Sequence, residues 1–220
     1  MPPAGGDWRA ITWGAFAAQI RKAALFLGTA GLKSGDRAAV FAPNRVEWIS
    51  AALAIQAAGG VMVPIYAANT VDQAAYVARH CDARVVFVDT PALLGRIFEA
   101  WGEYESAARI VLLDDALDPA IVLGKLRAEG KKVPTYAEAE PRLIHWSRAL
   151  SIGAARDAEV EAGGVRRVGR RRLRDAREHG WQHRSRSLAD QLLRLAELQR
   201  GLHLRRELQR VRDGRHQRRR

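Results

Sequence analysis

The chain has 220 residues, a single cysteine and a formal net charge of +12, from 36 Lys+Arg against 24 Asp+Glu. A lone Cys81 excludes an intrachain disulfide and a multi-cysteine metal site, and points to a reducing, cytoplasmic setting. No apolar run approaches the roughly 20 residues needed to span a bilayer, and the start Met-Pro-Pro-Ala-Gly-Gly-Asp-Trp has neither the charged leader nor the apolar core of a signal peptide.

The first predicted element is an amphipathic helix from Ala15 to Thr29. Phe16, Ile20, Ala23, Ala24 and Leu27 share one stripe at three- and four-residue spacing, and Gly31 and Gly35 close it. Arg37 to Ala42 is a short apolar run behind the Ser34-Gly35-Asp36 turn and reads as a strand. Pro43-Asn44 stops it before a second helix carrying Val46, Ile49, Leu53 and Ala57. Gly59-Gly60 ends that helix, and Val61 to Tyr66 follows as a β-branched strand in which Pro64 signals an edge or a strand end.

Thr70 is placed to cap a third helix that runs through Cys81, with Asp72 in its first turn. Arg84 to Asp89 supplies the third strand, about Pro91 to Trp101 a further helix, and Arg109 to Leu113 a fourth strand. Buried β-branched strands alternating with helices predict an α/β fold with a mostly parallel sheet. Residues 114 to 150 carry the breakers Pro119, Pro134 and Pro141 and are expected to form a helix with loops at the domain's margin.

The charge is concentrated at the far end. Residues 1 to 150 hold 16 basic and 15 acidic side chains, leaving 20 and 9 for residues 151 to 220. All 20 of those cations are Arg, and the same stretch contains no Lys, Thr, Pro, Asn, Phe, Tyr, Met or Cys. Within it, Leu188, Leu192, Leu195, Leu202 and Leu208 line one side of a segment from Ser187 to Val211, although Gly201 interrupts the pattern. The runs Arg166 to Arg177 and Arg205 to Arg220 offer salt-dependent contact with phosphates. Trp181 alone is available to stack on a base, so such contact is expected to be nonspecific.

Three local patterns imitate chemistry and fail on composition or geometry. Gly164 to Arg171 has the spacing of a phosphate-binding loop but lacks the Lys and the Ser/Thr that such a loop needs. His179 and His183 stand four apart like zinc ligands on a helix, yet Gly180 occupies the general-base position. His80-Cys81 are adjacent at a helix end, where neighbouring side chains diverge, and Cys81 reads as a small buried hydrophobe.

Several segments, in order and spacing, carry a resemblance. They are Ile11-Thr12-Trp13, Leu27-Gly28-Thr29-Ala30-Gly31-Leu32, Gly35-Asp36-Arg37-Ala38-Ala39-Val40, Asn44-Arg45-Val46-Glu47-Trp48 and Ala58 through Tyr66. His80 to Val88 continues the set, and His145 to Gly153 extends it more loosely. Together they resemble the N-terminal region of adenylate-forming acyl-CoA synthetases, and within them long-chain fatty-acid–CoA ligases. The resemblance covers roughly the first 155 to 160 residues and implies a partial, mostly parallel sheet with flanking helices.

For the full-length family the resemblance implies activation of a fatty acid with ATP and Mg²⁺ to an acyl-adenylate, then thioester formation with coenzyme A. The residues that do this belong to a Ser/Thr/Gly-rich loop ending in Pro-Lys-Gly, a Tyr-Gly-x-Thr-Glu segment, a ribose-binding Asp and a late Lys. No Thr follows Thr135, no Tyr follows Tyr136, no Lys follows Lys132 and no Pro follows Pro141. No catalytic, cofactor-binding or metal-binding residue is therefore assigned to any position, and no cofactor is expected for this polypeptide by itself.

The expected organisation is a partial synthetase domain at 1–160 and an Arg-rich tail at 161–220. The tail's residue alphabet is what a GC-rich gene yields when read out of frame, which puts the expected departure around Glu161 to Val165, with a natural deletion or a short splice-like product bearing a basic tail as the alternative. An inactive ligase fragment is the favoured reading, with apolar faces and sheet edges left open and poor solubility as a result. The alternatives are a non-enzymatic protein whose tail holds nucleic acid or anionic lipid, at a membrane surface in the second case, and a truncated paralogue that associates with a full-length ligase.

Overall fold

The computed structural model describes residues 10–162. Helix α1 spans Trp13–Thr29 and starts two residues earlier than its apolar stripe suggests, because the Thr12 hydroxyl accepts the Ala15 N–H at 3.1 Å. Strand β1 (Arg37–Phe41), helix α2 (Val46–Ala57) and strand β2 (Val61–Ile65) follow. Helix α3 (Val71–His80) opens on a reciprocal capping box, with the Gln73 N–H donating to Thr70 Oγ1 and the Thr70 N–H to Gln73 Oε1. Strand β3 (Val85–Val88), helix α4 (Pro91–Glu99) and strand β4 (Arg109–Leu112) complete the alternation.

All neighbouring strands are parallel, and their order across the sheet is β2, β1, β3, β4, with one more strand beyond. That strand is β5 (Leu143–His145), paired in parallel with β4. It is reached through α5 (Pro119–Ala128), the single turn α6 (Tyr136–Ala139) and a short 3₁₀ turn, and it runs directly into α7 (Trp146–Ala162). Residues 114 to 150 thus hold the expected helix and loops but also, beyond that expectation, the edge strand that finishes the sheet. Three-residue β5 is too short to show a period of two, and Pro119 starts a helix because its missing N–H falls in a first turn, where no partner is needed.

Strand alternation divides the core into two layers. Ala38, Val40, Val85, Phe87 and Val111 point toward α1, α2 and α7, whereas Ala39, Phe41, Val86, Val88, Ile110 and Leu112 point toward α3, α4 and α5. Side chains of strands covered on both faces read as continuous apolar runs, which is why β3 is Val-Val-Phe-Val.

The burial of α2 corrects the expected stripe. Ser50, Ala51, Ala52, Ala54 and Ile55 are buried, while Val46 and Ile49 are 41% and 46% exposed. The helix is apolar on most of its circumference, so spacing alone offers two faces. The alanine face lets the backbone approach the sheet closely, and that face is the buried one. At its end Gly59 adopts φ +83, and a Cβ on Gly60 would lie 3.0 Å from Leu32 Cδ2 and 3.2 Å from the Asp36 carbonyl oxygen.

Strand β2 forms one edge of the sheet, as Pro64 foretold. The Val61 N–H donates to the Asp36 carbonyl at 2.8 Å, so the backbone groups at odd positions of β2 address β1 while those of Met62 and Pro64 face the open edge. Pro64 thereby removes a donor from the open edge, which blunts it against pairing with another strand.

Candidate functional site

In an open sheet of parallel strands, ligands bind beyond the carboxyl ends of the strands at the point where the strand order reverses. Here β1 connects to β2 on one side, and the chain then returns past β1 to β3, so the reversal lies between β1 and β3. The residues beyond those two ends are Pro43-Asn44-Arg45 and Asp89-Thr90.

Arg45 sits at the N-cap of α2 in extended backbone and bridges the gap. Its Nε donates to Glu47 Oε2 at 2.6 Å, and its Nη1 donates to Asp89 Oδ1. Asp89 is buried, at 5% exposure. Burial pushes its carboxyl above the ordinary value against the pull of Arg45, and the charges of Asp114 and Glu47 add to the push. Burial alone would lower the Arg45 guanidinium, but its bonds and charges with Glu47 and Asp89 outweigh that and hold it above its usual value.

Four other polar groups at this end of the sheet are also engaged. Asp114 Oδ1 accepts the Ala116 N–H at 2.9 Å, and Asp115 Oδ1 accepts the Ser147 N–H at 3.1 Å, in the first turn of α7. His145 Nε2 donates to the Leu117 carbonyl at 3.0 Å, and Thr90 Oγ1 accepts the Leu93 N–H at 3.3 Å at the start of α4. These bonds fasten loops and helix starts to the strand ends. They set no nucleophile beside a base, and among the described residues no group of three or more His, Cys, Asp or Glu is arranged to hold a metal ion.

The adjacent pair His80 and Cys81 serves different neighbours. The His80 ring stacks on Tyr76, with centroids 5.4 Å apart, while Cys81 Sγ lies 3.5 Å from the Ala78 carbonyl. Burial pushes the Cys81 thiol above its ordinary value against the nearby charge of Arg37, which disfavours the thiolate. The loop-like stretch Gly164 to Arg171, the pair His179 and His183, the leucine stripe from Ser187 to Val211 and both arginine runs lie outside the described residues.

Sequence reading did not single out Arg45, Asp89 or His145 as a set. Part of their signal was available as position: Asp89 follows the last residue of β3, His145 is the last residue of β5 and Arg45 lies four residues beyond β1, near the strand ends where an open parallel sheet places its polar groups. Ile11 and Trp13, 46% and 74% exposed, leave apolar surface at the N-terminal end of α1, and Val46 and Ile49 do the same for α2. No helix among the described residues is long and apolar enough to cross a membrane.

Residues 3–148 match the family model described as AMP-binding enzyme. The long-chain-fatty-acid–CoA ligase FadD15 of Mycobacterium bovis is 34% identical over 106 residues, which are 48% of this chain and 18% of that protein. The long-chain-fatty-acid–CoA ligase ACSBG1 of Bos taurus is 26% identical over 136 residues, 60% of this chain and 19% of that one. Among solved structures, the anthranilate CoA ligase AuaEII in complex with anthranoyl-AMP aligns with a TM-score of 0.48 and 21% identity, covering 50% of this chain and 21% of that chain. The chain therefore spans less than a fifth of the length of the curated relatives named here.

Proposed function

The chain belongs to the AMP-binding enzyme family, and on that premise we propose that it is the N-terminal α/β portion of an ATP-dependent, AMP-forming fatty-acid–CoA ligase. The observation that carries the choice of substrate class is the 34% identity to a protein named a long-chain-fatty-acid–CoA ligase. In such a ligase the fatty carboxylate is first joined to AMP with release of pyrophosphate, and the thiol of CoA then displaces AMP.

On this reading neither the nucleotide nor its Mg²⁺ is assigned to the described residues. The β1–β3 crevice is occupied by the Arg45–Asp89 pair, and Asp114 and Asp115 accept backbone N–H groups. The role assigned to residues 10–162 is that of a scaffold, with ATP chemistry carried by sequence of a kind that these 220 residues do not contain. ATP–pyrophosphate exchange with long-chain fatty acids tests this directly. The 220-residue polypeptide is expected to give no exchange above the enzyme-free rate, and measurable turnover would overturn the assignment.

A second reading rests on the 20 arginines of residues 151–220 and assigns the tail to nucleic acid or anionic lipid. It requires binding that weakens steeply with salt and is lost on deleting residues 162–220. Binding that survives the deletion would remove it.

A further inference from the structure

We draw no further inference here: the strongest candidate, the exposed apolar patch of Ile11, Trp13, Val46 and Ile49 at the N-terminal ends of α1 and α2, carries nothing because nothing in the structure shows what covers it.

Discussion

Replacing Gly153 by alanine separates a packed α7 from an unpacked one by the sign of its effect. Gly153 is buried, and a Cβ added there would lie 1.9 Å from the Lys22 carbonyl oxygen and 2.6 Å from the Lys22 carbonyl carbon. Both are backbone atoms of α1 and cannot rotate away. Restoring an ordinary contact of about 3.4 Å requires the two helices to part by roughly 1.5 Å, and gaps of that order forfeit half or more of each dispersion contact at the seam. Overpacking of this kind costs about 1–3 kcal/mol, and the rigid backbone neighbour places this case near 3. Alanine's better helix propensity returns about 1 kcal/mol, so the net expectation is a loss of about 2 kcal/mol. Gly124 in α5 is the control, since it is exposed and a Cβ there meets nothing within 4 Å. Gly124→Ala should gain about 1 kcal/mol through propensity alone. Equilibrium urea unfolding of the 220-residue chain, followed by helical circular dichroism, reads both. If Gly153→Ala is as stable as the parent or more so, the α1–α7 packing is refuted.

Arg45→Ala leaves the Asp89 carboxylate buried without its cation, a change that costs about 3–5 kcal/mol in a fully buried pair. The Arg45 side chain is 34% exposed, so screening brings the expectation down to about 2–3 kcal/mol near pH 7. Burial already raises the Asp89 pKa, so its contribution to stability is fullest below the ordinary carboxylate value and is lost as pH rises through the raised one. Losing Arg45 raises that pKa further, and the deficit measured by urea unfolding should grow from about pH 4 to about pH 7; a deficit that does not change with pH contradicts the pairing. Tyr104→Phe removes a hydroxyl that is buried without a hydrogen-bond partner, and should leave stability unchanged or raise it by about 1 kcal/mol in the same assay. A loss above about 1 kcal/mol would show that the hydroxyl has a partner. Thr70→Ala removes one half of the α3 capping box and should cost about 1 kcal/mol; no cost would mean that α3 starts elsewhere.

The sheet was legible where burial is two-sided. Val85-Val86-Phe87-Val88 and Arg109 through Leu112 are apolar at nearly every position because helices cover both faces, and such runs announce themselves without periodicity. Helix α2 was found, but its buried face was not, since alanine can pack more closely than valine and spacing does not weigh size. Strand β5 and helix α7 escaped for another reason. Leu143–His145 pairs only at its inner edge with β4, and the following helix carries Ser147, Arg148, Ser151 and Arg156 among its alanines, which dilutes the apolar stripe. The Arg45–Asp89 pair joins residues 44 apart in sequence. Only the strand order brings them together, and that order depends on which way each crossover turns.

The packing of α7 bears on where the body of the chain gives way to its arginine-rich tail. Ala149, Gly153 and Asp157 recur at four-residue spacing, which places them on one face of the helix. Ala149 is fully buried in the layer that contains α1, Gly153 meets the Lys22 backbone, and Asp157 Oδ1 accepts a hydrogen bond from Arg21 Nε at 2.8 Å. Three successive turns of α7 therefore face the layer that holds α1, two of them meeting the Arg21-Lys22 turn of that helix, and such a fit is hard to obtain from a sequence unrelated to the fold. Such packing favours placing the proposed departure from the family's reading frame after Asp157, and composition puts the expected window at Glu161 to Val165. Gene sequence across the codons for residues 155–170 decides the matter. An alternative frame that continues α7 and then encodes a Ser/Thr/Gly loop ending in Pro-Lys-Gly is the expected result, and if no frame does so the shift is rejected.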